Sequence, residues 1–279
     1  MARKKAWTTM FRTAPLLAAL VCLAVSQSAS AQGIIWNLPE DGSLVHYEGT
    51  YRQIEAQPGS SEGNLEMEWI RHLTIKSVGK EDAEYRRKTV PCRWIEMKLQ
   101  TGRVKDGLIA TGTVGERIYK VLVPESAVIG QTRDSEGLPV TYLPIVRGFR
   151  KTNTKDATPK EITSKVLQIY PIISLVRHYR DMARGNVPES VLVGQEEVDA
   201  TKLTGNFEQE SLNDRVLHES SLYLSESVPF GLAKWSVKIT QEAKGEVEPR
   251  SEFQFVSEIT VDMTARRIEG NARSELVVQ

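Results

Sequence analysis

The strongest structural signal in the chain is the segment EFQFVSEITVDM, residues 252–263. Apolar and polar side chains alternate through it, and a period of two places successive side chains on opposite faces of a β-strand. Ser257 interrupts the apolar series and Val256 interrupts the polar one. One solvated face and one buried face are typical of an antiparallel sheet. The apolar series comprises Phe253, Phe255, Ile259, Val261 and Met263.

Three further segments repeat this alternation, at residues 65–76, 95–99 and 233–240. A strand of about twelve residues at roughly 3.4 Å per residue spans about 40 Å, which is twice the usual length. Because right-handed twist accumulates along long strands, the sequence predicts a large curved sheet or half-barrel with a concave face. The apolar series are Leu65, Met67, Trp69, Leu73 and Ile75; Ile95, Met97 and Leu99; and Ala233, Trp235, Val237 and Ile239.

One segment, residues 159–184, predicts a helix that packs on the sheet and fills its concave face. Thr158 suits the N-cap position and Pro159 the first helical position. Pro171 must kink this helix or split it in two. The predicted fold class is therefore α+β, mostly antiparallel β, with one packed helical segment. The helical stripe, at spacings of three and four, comprises Ile162, Val166, Ile169, Ile173 and Val176.

The first 31 residues predict a secretory signal peptide, since basic residues precede an apolar run at 14–25 and Ala29-Ser30-Ala31 fits a cleavage site. The apolar run is too short to span a membrane, which takes about 20 residues, so we expect cleavage and no remaining transmembrane anchor. Residues 32–279 then form a single β-rich domain with a helical insertion. We expect it to be exported to the periplasm or exterior of a bacterial cell. The basic residues are Arg3, Lys4, Lys5 and Arg12.

The charge balance of the chain argues against nucleic acid as a partner. The chain has 36 basic and 36 acidic residues, so there is no surplus of positive charge for phosphate contacts. Removal of residues 1–31 takes away four basic residues and no acidic one, which gives a mature net charge of about −4. Cys92 is then the one cysteine left, so no intrachain disulfide can form. We expect a buried apolar residue there, with a reactive thiol as the alternative.

Motif searches predict no catalytic residue, cofactor or metal site. Residues 59–63, Gly-Ser-Ser-Glu-Gly, match G-x-S-x-G, but no apolar strand leads in and no helical pattern follows. We interpret them as a turn. No glycine-rich loop joins a strand to a helix, so nucleotide cofactors have no support. The four histidines lack metal-ligand spacing: they are His46, His72, His178 and His218.

The aromatic residues give the most specific functional hypothesis. Trp69, Trp235, Phe253 and Phe255 lie on the apolar series of three strands and are predicted to line an apolar ligand cavity, with a plain hydrophobic core as the alternative. Trp94 lies on the opposite series from its apolar neighbours. It is therefore either covered by another element or exposed as an interaction residue.

The overall plan resembles periplasmic lipoprotein carriers and related half-barrel proteins. The resemblance rests on the signal peptide, the long antiparallel strands, the packed helical segment and the run Val228-Pro229-Phe230-Gly231-Leu232 before the Trp235 strand. Such folds hold acyl chains between a curved sheet and its helices, so the resemblance implies a lipid-like or apolar ligand.

Three hypotheses for the function follow. The first is a non-enzymatic binding or carrier protein of the cell envelope, which requires a sizeable apolar cavity. The second is an envelope scaffold or interaction module with a protein partner, which requires an exposed apolar patch or an unpaired strand edge. The third is an exported hydrolase, which requires a polar cleft that brings a histidine or carboxylate pair together.

Overall fold

A computed structural model describes residues 33–112, 115–130, 142–152, 158–177, 179 and 182–277. The predicted signal peptide lies outside the described residues. The described chain forms one thirteen-stranded sheet and one two-stranded sheet, joined by loops and three short 3-10 helices. No α-helix occurs in this part of the chain, and hence no helix long and apolar enough to cross a membrane.

The fifteen strands are β1 (Leu44–Glu55), β2 (Leu65–Tyr85), β3 (Lys88–Lys105), β4 (Leu108–Ala110), β5 (Glu116–Pro124), β6 (Tyr142–Pro144), β7 (Arg147–Thr152), β8 (Lys160–Glu161), β9 (Val166–Gln168), β10 (Met182–Arg184), β11 (Glu189–Val193), β12 (Glu196–Glu210), β13 (Asp214–Leu224), β14 (Leu232–Ala243) and β15 (Gln254–Glu269). The 3-10 helices span Glu125–Ala127, Pro229–Gly231 and Arg250–Glu252.

The large sheet runs in the order β10-β12-β13-β14-β15-β1-β2-β3-β5-β7-β8, with β11 paired to β12 and β4 paired to β3. Each of its strand pairs is antiparallel, and the sheet is not closed. The predicted mostly antiparallel architecture is confirmed. The longest strands, β2 and β3, have 21 and 18 residues. The strand predicted from residues 252–263 is β15, which pairs with both β14 and β1.

The alternation of side chains separates the large sheet into two faces. Val45, Ile75, Met97 and Tyr119 lie opposite one another on β1, β2, β3 and β5, and all four are buried. We term this side the core face and the other side the outer face. Trp235, on β14, is also buried on the core face. Burial of such apolar rows contributes roughly 25 cal/mol per Å² of apolar surface removed from water.

The helix predicted at 159–184 is wrong. The described residues of this range form β8, β9 and β10 with loops between them, and one helix-like turn in which the Ile173 amide donates to the Ile169 carbonyl at 2.8 Å. Two physical reasons account for this. Pro171 has no amide hydrogen for a helix, and Val166–Gln168 pairs with Tyr142–Pro144 as a two-stranded ribbon. The stripe residues Ile169, Ile173 and Val176 are nevertheless buried.

Loops and short strands, instead of a helix, cover the core face. One layer comes from the segment that follows the predicted cleavage site, where Ile34 and Ile35 are fully buried. The other comes from residues 143–145, 167–176 and 179. Tyr179 fixes this second layer to the sheet, because its ring lies against Gly205 of β12, where a Cβ atom would come within 2.6 Å of the ring. Glycine at 205 therefore permits the close approach of the layer and the sheet.

The outer face is partly covered by the C-terminal segment. The buried Glu96 carboxylate accepts hydrogen bonds from the amides of Glu275 and Leu276 and from the Ser274 hydroxyl, at 2.7–3.1 Å. The ammonium of Lys76 lies 3.3 Å from the same carboxylate. We term this arrangement of Glu96, Lys76 and residues 274–276 the C-terminal clasp. It joins β2 and β3 to a segment more than 170 residues away in sequence.

Candidate functional site

A cavity of about 450 Å³ lies between the core face and the covering layer. Its volume is within the range of about 300–1,000 Å³ that is usual for small-molecule sites. β1, β2, β3, β5 and β15 form one side, and residues 171–175 of the covering layer form the other. Most of its side chains are apolar or aromatic. The largest of these apolar and aromatic side chains are Tyr51, Trp69, Leu99, Ile172, Leu175 and Ile259.

The strand register places Arg71 between two small residues. Arg71 of β2 lies directly opposite Gly49 of β1 on one side and Thr101 of β3 on the other. Gly49 has no side chain, and one could not be added because its Cβ would overlap the Asp262 carbonyl. Thr101 lines the cavity beside Arg71, whereas the space at Gly49 is filled by the backbone of β15.

Arg71 is the most unusual residue of the cavity. Its side chain is buried, with 6% of the residue exposed, and its Nη2 donates to the Ile173 carbonyl at 3.0 Å. The guanidinium carbon lies 5.6 Å from the centre of the Tyr51 ring. Among the described residues no carboxylate forms an ion pair with it. Burial is the main cause that lowers the pKa of Arg71 to about 10; the charge of Arg117 acts in the same direction and Tyr51 opposes it, so the group is cationic near neutral pH.

A second cation, Arg117 of β5, lines the same cavity and is half-buried. It lies opposite Leu99, on the core face, and acts on the pKa of Arg71 as a like charge. The cavity therefore combines two guanidinium groups with apolar and aromatic walls. Guanidinium groups bind carboxylates and phosphates through paired hydrogen bonds, so this side of the cavity is suited to an anion.

Two aromatic rings form part of the cavity wall. Tyr51 and Trp69 lie opposite each other on β1 and β2, with ring centres 5.7 Å apart in an edge-to-face arrangement. Both rings are half-buried. Burial raises the pKa of the Tyr51 phenol above its usual value, while the charge of Arg71 opposes that rise. The phenol is therefore neutral under ordinary conditions and can only offer a hydrogen bond or ring contact.

The structure places the four predicted ligand-binding residues in different surroundings. Trp69 lines the cavity. Trp235 is buried in the core, 4.8 Å from the ring of Tyr47. Phe253 lies outside the strand, under the guanidinium of Arg215 at 4.6 Å, and Phe255 is half-buried on β15. These four residues are thus not brought together, and their binding role stays a prediction.

Trp94 lies on the outer face and is half-buried. Its Nε1 donates to the carboxylate of Glu81 at 3.0 Å, and its ring is stacked on Phe149 with centres 6.4 Å apart. The cationic groups of Arg147 and Lys120 lie 5.2 Å and 5.4 Å from the ring centre. Charged side chains thus surround the indole, and its role as an interaction residue stays a prediction.

His46, His72, His218 and Ser61 form no reactive cluster in the described residues, and His178 lies outside them. The rings of His46 and His72 are 5.2 Å apart, and His46 contacts Thr74 at 2.8 Å and Glu48 at 3.3 Å. No group of three or more potential metal ligands occurs there. Ser61, the serine of the G-x-S-x-G match, lies in an exposed turn.

Sequence reasoning missed Arg71, Arg117 and Tyr51. The signal for the first was present, because Arg71 falls on the apolar series between Trp69 and Leu73. Arg117 likewise shares the series of Tyr119 on β5. A cation on the buried side of a strand has a high free energy of desolvation unless it is paired. Such positions are therefore the ones to examine first for a site.

No protein-family model matches the sequence, and no curated protein matches it either. The residues that line the cavity are therefore the basis on which a function can be assigned.

Proposed function

We propose that the chain is an exported cell-envelope protein that binds a lipid-like or apolar ligand without catalysing a reaction on it. The observation that carries the proposal is the cavity between the core face and its covering layer. Its walls are Tyr51, Trp69, Ile172 and Leu175, which would take apolar surface out of water on binding.

Two further features support this role. A long sheet covered by an irregular layer can act as a half-barrel whose layer moves or repacks to admit a ligand, because loops give way more easily than packed helices. The predicted signal peptide would deliver the protein to the envelope, where lipids and acylated molecules are available as ligands. That the sheet acts as a half-barrel, and that the protein is located in the cell envelope, are both parts of this proposal.

Native mass spectrometry of the protein purified from its own envelope tests the proposal. We expect a co-purifying lipid or apolar molecule that is lost on denaturation. Ile172→Trp should fill the cavity and remove that mass. Ile129→Trp is the matched control, because Ile129 has the same exposure of 39% as Ile172 and is not a lining residue.

If the spectra of both the wild type and Ile129→Trp show only the mass of the protein, without a ligand, this result would contradict the proposal and favour a scaffold role. The next experiment would then be crosslinking at Trp94 to identify a protein partner. A ligand retained by Ile172→Trp would place the binding site elsewhere.

A further inference from the structure

We infer that the ligand of this cavity is an anionic amphiphile, whose head group is bound by Arg71 and Arg117 and whose apolar chain lies against the aromatic wall. This inference rests on the proposed function and makes it more specific by naming the ligand class. It concerns an anion of the carboxylate or phosphate type joined to an apolar chain.

The first argument is a comparison among the buried basic side chains of the described residues. Lys76 pairs with Glu96 at 3.3 Å, and Arg93 pairs with Glu125 at 2.8 Å. Arg71 is buried to the same degree, yet its hydrogen bond goes to a neutral carbonyl. A buried cation without a counter-charge is costly, and the fold supplies that charge at the other two sites. A bound anion would supply it at Arg71.

The second argument is the second cation. Arg117 faces the same cavity and is a like charge that lowers the pKa of Arg71. Two like charges at one cavity raise the free energy of the empty protein. An anion between them would interact favourably with both, and guanidinium groups are suited to bidentate contacts with its oxygens.

The third argument is the distribution of polarity within the cavity. Thr101 lies beside Arg71 on β3, whereas the opposite wall consists of Ile172 and Leu175 of the covering layer. Trp69 and Tyr51 extend the apolar surface along the sheet. A ligand that matches both parts has a charged end and an apolar body. A purely apolar ligand would supply no counter-charge to the two cations.

Titration calorimetry with three probes of equal chain length tests the inference: dodecanoate, dodecyl phosphate and dodecanol, each below its aggregation concentration. At least one of the two anions should bind about tenfold or more tightly than the alcohol, as expected for charged hydrogen bonds. A preference between dodecanoate and dodecyl phosphate would distinguish a fatty-acid source from a phospholipid source. Binding of the anions should weaken with added salt.

Two variants connect the preference to the residues. Arg117→Gln should bring anion binding down to the level of dodecanol and leave dodecanol binding unchanged, and its half-exposed position should tolerate the change. Arg52→Gln is the matched control, because Arg52 is the neighbour of Tyr51 and points to the outer face, where it pairs with Glu66. Arg71→Met can be used in the same titrations if circular dichroism shows that this variant is folded.

The outcomes separate this inference from the proposed function. Equal binding of anions and alcohol, unchanged in Arg117→Gln, would overturn the inference while leaving an apolar binding site in place. Failure of all three probes to bind wild-type protein would count against the binding function itself and therefore against both.

Discussion

At the scale of single residues, the imidazole of His218 is buried in surroundings that disfavour its protonated form. It is 2% exposed, and the rings of Tyr170 and Phe207 lie 5.9 Å from it. Burial, together with the smaller effect of the charge of Arg177, lowers the pKa of His218 to about 4. The native protein therefore favours the neutral imidazole, while the unfolded chain takes up a proton near pH 6.5.

This difference predicts acid sensitivity. Below pH 6.5 the unfolded state binds the proton and the native state does not, so the free energy of unfolding should fall as the pH decreases to about 4. Urea denaturation across this range measures the effect. His218→Gln should remove part of the slope. An identical pH dependence in wild type and His218→Gln would refute the assignment.

Cys92 is predicted to be unreactive in the native protein. It is 1% exposed, its thiol contacts the Val90 carbonyl at 3.4 Å, and burial raises its pKa above the ordinary value. The reactive thiolate is therefore scarce and inaccessible. Mass mapping after treatment with a thiol reagent should find Cys92 unlabelled in native protein and fully labelled in denaturant. Rapid native labelling would restore the alternative of a functional thiol.

Glu96 is predicted to stabilise the fold through the C-terminal clasp. Glu96→Gln removes the charge from a buried carboxylate that serves Lys76 and residues 274–276, which should cost about 3 kcal/mol of unfolding free energy. Glu275→Gln is the control, since Glu275 is partly exposed and should cost about 1 kcal/mol or less. Hydrogen exchange should show the amides of residues 275–276 losing protection in Glu96→Gln. Equal costs for both variants would contradict this account of the clasp.

At the scale of elements, the contact between Tyr179 and Gly205 is predicted to hold the covering layer on the sheet. Gly205→Ala places a methyl group against the buried ring and should destabilise the protein by about 1–3 kcal/mol. Gly185→Ala meets its nearest atom at 3.4 Å and should have little effect. Thermal unfolding measures both.

A double variant isolates the contact. If the ring causes the loss, then Gly205→Ala combined with Tyr179→Leu should be less destabilised than the sum of the single variants. Strict additivity would mean that the alanine acts on β12 by some other route.

The helix predicted at 159–184 did not form, because the structure of this segment depends on how it packs against other elements. Burial of Ile169, Ile173 and Val176 requires only that their side chains point to the core. A loop that contains one turn buries residues at the same spacing of three or four as a helix does. The competing ladder between β6 and β9 lies in tertiary contacts that a local pattern does not contain. The strands were predictable because a period of two over twelve or more residues has few alternative interpretations.

At the scale of the whole molecule, the sequence pattern predicted the antiparallel sheet but not what covers it. Alternation at Trp235 and Ile259 marks which side of a strand is buried, yet it carries no information on which distant segment supplies the cover. Arg71 shows the same limit at the cavity. Its place on an apolar series was readable, but only the assembled strands show that no carboxylate of the described residues pairs with it.

The position of β15 in the sheet has a consequence for biogenesis. β15 is the last strand of the described residues, yet it lies between β14 and β1, so it joins the two halves of the sheet. During synthesis from the amino end, β1 therefore keeps one unpaired edge until residues 254–269 have been made. The sheet is completed late, and a product truncated before β15 would leave the facing edges of β14 and β1 unpaired and prone to aggregation.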